Sequence, residues 1–342
     1  MKSDFPTRHR QLSISIPALL LLLLLLPVVA WAGQEALITD YRVIRLSAVD
    51  AAGRVRVAIR SFHCDGVAHL LVIDPFSFES FDLPASTQIL SEPAPRAPLG
   101  STPYLRALKR YGSAPYRLQD GGAVRAETEV DGMFLTVDFC PSKRPFEREL
   151  FQAVAALGKG APVPVALSVS GVWLLSHPEE LSFLKGESAA GRLAITWVNH
   201  SMHHHYDPKT PLARNFLLAP GTDFPAEVLD LERLLLSRGL VPSPFFRFPG
   251  LVSDAATVTR LRELSLIPIG SDAWIAKGEA PKKGSFILVH GNGNEPKGVR
   301  QLLPMLRSGE PRLLPLAAAF GNQEVVTGVL PRRHHRPPHT SP

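Results

Sequence analysis

From residue 131 onward one unit recurs: a short apolar run, a polar residue at its end, then a helical stretch. Residues 133–137 run into Asp138, with a helix predicted over 145–157. Residues 163–169 run into Ser170 and Gly171, ahead of a helical stretch at 178–184. Residues 193–198 lead to Asn199 and His200. The helix predicted at 225–237 follows, apolar at Val228, Leu231, Leu235 and Leu236 and closed by Gly239. Residues 243–246 lead to Arg247, and 253–264 reads as a helix that Ser253 or Asp254 can cap. Residues 266–269 lead towards Asp272, 286–289 end at His290, 298–306 is helical, and 313–320 reads as a last strand. Such alternation predicts an α/β fold, with a parallel sheet and helices outside it. Asp138, His200, Arg247, Asp272 and His290 each stand at or just past the carboxyl end of a separate predicted strand. In a closed parallel barrel those ends converge on one rim, where barrel enzymes place their sites.

The rest of the chain bounds its setting. Residues 34–90 read as short strands, because runs at 41–46, 55–60 and 69–74 mix alternation with β-branched residues. Residues 91–100 hold three prolines and read as a linker or surface crossing. At the start, Lys2, Arg8, His9 and Arg10 precede an apolar run with eight consecutive leucines, followed by Pro27 and Ala30-Trp31-Ala32. A basic head, an apolar core and small residues at the cleavage positions predict a secretory signal peptide over 1–32, cut after Ala32. The alternative is an uncleaved anchor, since the run is almost as long as a spanning helix. Either way the remainder is expected to be periplasmic or secreted, in a bacterial setting, with no further stretch able to span a bilayer. The organisation expected is a signal peptide at 1–32, a small β-rich region at 33–125, a barrel at 131–322 and a disordered basic tail at 331–342.

Charge excludes one class of partner. The formal +6 gathers at the ends, with Lys2, Arg8 and Arg10 against Asp4 in the leader and Arg332, Arg333 and Arg336 in the tail. Removing these from 37 basic and 31 acidic residues leaves 31 and 30. A groove for nucleic-acid phosphates needs a concentrated excess that this body lacks. At 45% hydrophobic and 20% charged, the chain is neither mainly disordered nor a multi-span membrane protein. In an oxidising compartment its two cysteines, Cys64 and Cys140, are candidates for a disulfide, the alternative being two unpaired buried thiols.

The densest chemical signal is His200-Ser-Met-His203-His204-His205. A helical turn would set His200 and His204 on one face, where both imidazoles could bind one metal ion. Two histidines need at least one more ligand, and Asp138 at a strand end is the first candidate. Arg247 lies among aromatics in Phe245-Phe-Arg-Phe-Pro-Gly250 and needs an anionic partner if buried. His290 leaves a strand into a glycine-rich loop and suits a general acid near neutral pH. Asp272-Ala-Trp274 could orient that histidine and wall a pocket.

These residues, in this order, resemble the motifs of the NodB-type polysaccharide deacetylases, carbohydrate esterase family four, across residues 131–322. Thr136-Val-Asp138-Phe139-Cys140-Pro-Ser resembles the family's T-F-D-D-G-P-S. Asn199-His200-Ser201-Met-His-His204 resembles N-H-S/T-x-x-H, and Arg247-Phe-Pro249-Gly250 resembles R-x-P-x-G shortened by a residue. Asp272-Ala-Trp274 and Phe286-Ile-Leu-Val-His290 resemble the fourth and fifth motifs. The resemblance implies a distorted (β/α) barrel of the polysaccharide deacetylase type, preceded by the small β-rich segment. It also implies a hydrolase that removes acetyl groups from an N-acetylated glycan, cleaving a carbon–nitrogen bond that is not a peptide bond. Asp138 would be the general base, His200 and His204 metal ligands, and His290 the proton donor. Arg247 would hold Asp138, Asp272 would set the charge state of His290, and Phe246, Phe248 and Trp274 would pack on a sugar face. The metal would be zinc, with cobalt and nickel as alternatives.

The departure lies in the first motif. The family's second aspartate, a metal ligand, is Phe139 here, and its glycine is Cys140. Either Asp138 becomes the ligand, or water or Cys140 completes the shell, or the metal is lost. A Cys140 thiolate binds zinc well, but not while bridged to Cys64. The alternative function is an inactive deacetylase-like protein that binds glycan or assists envelope assembly. A further reading keeps hydrolysis but acts on a small amide or an O-acetyl ester.

Overall fold

The computed structural model describes residues 35–91 and 102–321. The signal peptide or anchor, all but the first residue of the proline-rich stretch, and the basic tail lie outside the described residues. Among the described residues no helix is long and apolar enough to cross a membrane.

The β-rich segment forms five antiparallel strands: β1 (Ile38–Asp50), β2 (Val55–Cys64), β3 (Val67–Ile73), β4 (Ser80–Pro84) and β5 (Gln88–Ser91), in the order β4-β3-β2-β1-β5. Helix α1 (Pro103–Tyr111) follows. The remaining strands are β6 (Phe134–Phe139), β7 (Val163–Val169), β8 (Leu193–Asn199), β9 (Phe245–Phe246), β10 (Ile267–Pro268), β11 (Ala273–Trp274) and β12 (Phe286–His290). They form one curled sheet in the order β10-β9-β8-β7-β6-β12-β11, with every pairing parallel. Helices fill crossovers between these parallel strands: α2 (Arg148–Ala156), α3 (Gly171–Ser176), α4 (Pro178–Ala189), α5 (Phe224–Ser237) and α6 (Ala255–Glu263); α7 (Pro296–Ser308) follows the last strand. Asp254 caps α6, accepting the Thr257 N–H at 2.7 Å. Among the described residues no pairing joins β10 to β11, so the barrel is open there. Single bridges from Ala123 to Ile269 and from Arg125 to Ser285 run along the gap.

One expectation fails at the end of the chain. Residues 313–320 do not form a strand: only Leu313 bridges to Met133, and Leu316–Phe320 winds into a 3₁₀ helix. Pro315 offers no N–H to extend a ladder.

The pleat sorts the parallel strands into two faces. Leu135, Val137, Phe139, Leu167, Val169, Ile287 and Val289 point outward into a core shared with Phe151, Trp173 and Leu302 of the helices. Phe134, Ala166, Val198, Phe245 and Phe286 point inward and share a second core with Ile59, Phe62 and Ile73 of the antiparallel sheet. Further along the inward face, towards the carboxyl ends, apolar residues give way to Asp138, Ser168, His200, Arg247 and His290, all buried.

The antiparallel sheet is also tied to the barrel by charge. Arg60 on β2, with 0% exposure, donates from Nε and Nη2 to Glu232 of α5 at 2.7 and 2.9 Å. The Tyr41 hydroxyl donates to the same carboxylate at 2.9 Å. Truncating Glu232 to alanine strands a buried guanidinium and is expected to cost about 3–5 kcal/mol. Thermal unfolding would register this, and an Arg60→Met/Glu232→Leu pair should recover most of the loss.

Candidate active site at the carboxyl rim

Asp138, one residue before the end of β6, and His290, the last residue of β12, are paired in register on adjacent parallel strands, so their side chains stand side by side on the inward face. Arg247 follows β9 on the same face, fully buried, and donates from Nη1 to Asp138 Oδ1 at 3.3 Å and from Nη2 to the Gly270 carbonyl at 3.0 Å. Burial alone would raise the Asp138 carboxyl. Arg247 outweighs it, with help from His200 and His290, and the group sits below the usual carboxylate range. Asp138 is therefore an anion held on a cation.

His200 and His204 also meet, but not on a helix. The chain from His200 to Tyr206 is a loop in which Ser201 and His204 take left-handed φ values of 66° and 49°. The loop is pinned throughout. Asn199 Oδ1 accepts the Ser201 N–H at 3.0 Å, Ser201 Oγ accepts the His204 N–H at 3.1 Å, and Glu227 of α5 accepts the His203 N–H at 2.9 Å. Its carbonyls at Ser201 and Met202 accept the N–H groups that open α3. Held this way, the two imidazole centroids lie 4.7 Å apart at 66°. Left-handed non-glycine residues persist only where their surroundings enforce them, often at functional sites.

The ring nitrogens fix what this pair can do. His200 Nδ1 lies 2.8 Å from the Arg247 carbonyl, which can only accept, so Nδ1 carries the proton. That leaves the lone pair on Nε2, which lies 3.6 Å from Cys140 Sγ and 3.8 Å from Asp138 Oδ2. Burial holds His200 below its ordinary pKa, partly offset by Asp138, which keeps the ring neutral. His204 Nε2 is buried with no hydrogen-bond partner among the described residues. The ligating atoms of Cys140, His200 and His204 all lie within 4.8 Å of one another. A proton on Nδ1 bound to a carbonyl, with Nε2 free, is the usual arrangement of a metal-binding histidine. The donor set therefore fits a divalent metal.

These groups line a pocket of about 700 Å³, walled also by Trp274, Glu295, Tyr206 and Phe216. Tyr206 is 56% exposed and stacks on Phe216 at 5.0 Å, while the Phe216 edge meets His204. Gly250 permits this wall, since a Cβ there would stand 2.4 Å from the Phe216 ring.

Several expectations need correction. Asp272 does not face His290. It accepts the Phe286 N–H at 3.1 Å and lies 3.9 Å from Arg125, at the amino end of β12, whereas His290 is at the other end. Phe246 and Phe248 do not reach the pocket either. They alternate with Arg247, point outward and pack on Phe224 between α5 and α6. Phe139 likewise points outward, with its ring centroid 4.2 Å from that of Trp173. Cys64 and Cys140 are both free. Cys64 ends β2 opposite Ile38 and Val67, while Cys140 lies in the rim pocket, so no bridge joins them.

Two contributors were missed, Glu295 and Asn292. Glu295 takes the role expected of Asp272: its Oε2 lies 2.9 Å from His290 Nδ1 and accepts the Trp274 indole N–H at 2.7 Å. Burial alone would lower His290, but Cys140 and Glu295 outweigh it and hold the imidazole well above its ordinary value. For Cys140 the signs reverse. Burial alone would raise the thiol, and His204 and His290 bring it down to about 6. Asn292 donates to the Cys140 carbonyl at 2.6 Å and fixes the loop that carries it. The signal for Glu295 was present, as the only carboxylate in the run from His290 to Glu295.

No family model matches the chain. Its fold is similar to that of a family 4 carbohydrate esterase from Bacillus anthracis, at 15% identity and a TM-score of 0.46, over 64% of this chain and 92% of that one. A family 4 carbohydrate esterase from Streptomyces lividans, solved with acetate, is 17% identical with a TM-score of 0.38, over 55% and 93%. A family 4 pseudoenzyme, also from Bacillus anthracis, is 12% identical with a TM-score of 0.41, over 60% and 70%.

Proposed function

We propose that this pocket hydrolyses the acetamide of an N-acetylated glycan, as an exported enzyme that depends on a divalent metal. The observation that carries the proposal is one rim holding a buried anion, Asp138, beside His290, with paired imidazoles against them. His200 and His204 would hold the metal, which when bound supplies Lewis acidity to the amide carbonyl and to water. Asp138 would accept the proton of the attacking water, since Arg247 keeps it ionised. His290, oriented by Glu295 and favoured in its protonated form, would deliver a proton to the departing amine. Trp274 and Tyr206 offer ring faces at the pocket wall for a pyranose, in place of Phe246 and Phe248. The leader at 1–32 supports a periplasmic or secreted setting, where envelope glycans are in reach.

The inactive alternative rested on Phe139. That ring faces the helical core rather than the pocket, so its identity removes nothing from the rim. Elemental mass spectrometry of the purified chain tests the proposal. One divalent metal per chain is expected, lost in a His200→Ala/His204→Ala double variant. No difference between the two would overturn the metal dependence.

A further inference from the structure

The two histidines leave the third metal ligand open, and the geometry points to Cys140. We infer that its thiolate completes a Cys140–His200–His204 site, in place of a carboxylate; this rests on the proposal that the pocket binds a metal. Three observations carry it. First, the position next to Asp138 is lost to the site, because β6 alternates and turns Phe139 outward onto Trp173 and Phe151. The next residue returns to the inward side just past the strand, and that residue is Cys140. Second, Cys140 Sγ lies 3.6 Å from His200 Nε2. A tetrahedral zinc with one sulfur and one nitrogen ligand sets those atoms about 3.5 Å apart, given Zn–S near 2.3 Å and Zn–N near 2.0–2.1 Å. Third, His204 belongs to the same cluster, and its Nε2 is buried and unpartnered among the described residues. Asp138 then stays outside the ligand set, held by Arg247 and available as a base.

A thiolate with two imidazoles favours zinc or cobalt over magnesium, calcium or manganese, which prefer oxygen. The thiol proton is released when the metal binds. The site would keep its fourth position for water or substrate, as catalytic zinc sites do.

Cobalt(II) reports this ligand directly, because a thiolate bound to cobalt gives an intense charge-transfer band in the near ultraviolet that imidazole and carboxylate ligands do not. The tail histidines His334, His335 and His339 therefore cannot imitate it. The full chain, stripped and titrated with cobalt, is expected to show the band, saturating at one equivalent. A Cys64→Ser variant should keep it, which removes the other thiol from consideration. Cys140→Ser should lose it, and Cys140→Asp should bind cobalt without it. Wild-type protein that binds cobalt with no such band would overturn the inference, as would a band retained in Cys140→Ser or lost in Cys64→Ser. Protein that binds no cobalt would overturn the inference and the proposed function together. A band without acetate release from any acetylated glycan would leave the ligand assignment standing and defeat the proposed function alone.

Discussion

Replacing Asp138 with asparagine is expected to lower acetamide hydrolysis by about 10²- to 10⁴-fold, the usual worth of a positioned general base. Metal content should not change. The substitution separates chemistry from structure because an amide keeps the shape of the carboxyl and can still accept from Arg247 Nη1. Arg247 also retains its bond to the Gly270 carbonyl, so it is not left wholly without partners. A loss of net pairing is nonetheless expected to cost some stability, since a buried arginine then faces a neutral group. The two effects are read apart by comparing turnover with the unfolding midpoint. If turnover were intact in a folded Asp138→Asn protein, Asp138 would not be the base. If metal were lost with turnover, Asp138 would be a ligand, and the assignment of that place to Cys140 would fall.

Phe139→Asp, which rebuilds the paired aspartates of the motif, is expected to unfold the protein rather than improve the site. Phe139 is fully buried, 4.2 Å from Trp173 and 6.0 Å from both Phe146 and Phe151 by ring centroids. Emptying such a place costs about 3–5 kcal/mol for truncation alone. A carboxylate put there adds desolvation without a partner. Against a total stability of about 5–15 kcal/mol, little margin remains. Poor solubility, or a large fall in the unfolding temperature, is the result expected. Phe139→Leu, which keeps the outward face apolar, should fold and retain its metal. A stable Phe139→Asp protein that binds metal more tightly would show that residue 139 can turn into the pocket, contrary to the register of β6.

The parts of this arrangement legible in the sequence are those that depend on period and position. Apolar runs ending in polar residues located the strand ends, and therefore the rim that holds Asp138, His200, Arg247 and His290. Alternation also contained what was missed around Arg247: with period two, Phe246 and Phe248 must face opposite to it, and they do. Other details depended on where a strand stops and how a loop turns. Cys140 enters the pocket from the loop just past the end of β6 at Phe139. His200 and His204 are four residues apart, which suits a helix, yet left-handed turns at Ser201 and His204 bring them together. The partner of His290 was decided by the path of the loop from Gly291 to Glu295. Asp272, although close to Trp274 in sequence, is held at the opposite end of β12 by the Phe286 N–H.

The most direct test of the account is acetate release from an N-acetylated glucosamine oligomer by the full chain, with zinc supplied and then chelated. The account predicts release that stops with the chelator, returns with zinc, and is absent in the His200→Ala/His204→Ala variant. Release that persists without metal, or none from a fully metal-loaded protein across acetylated glycans, would contradict it.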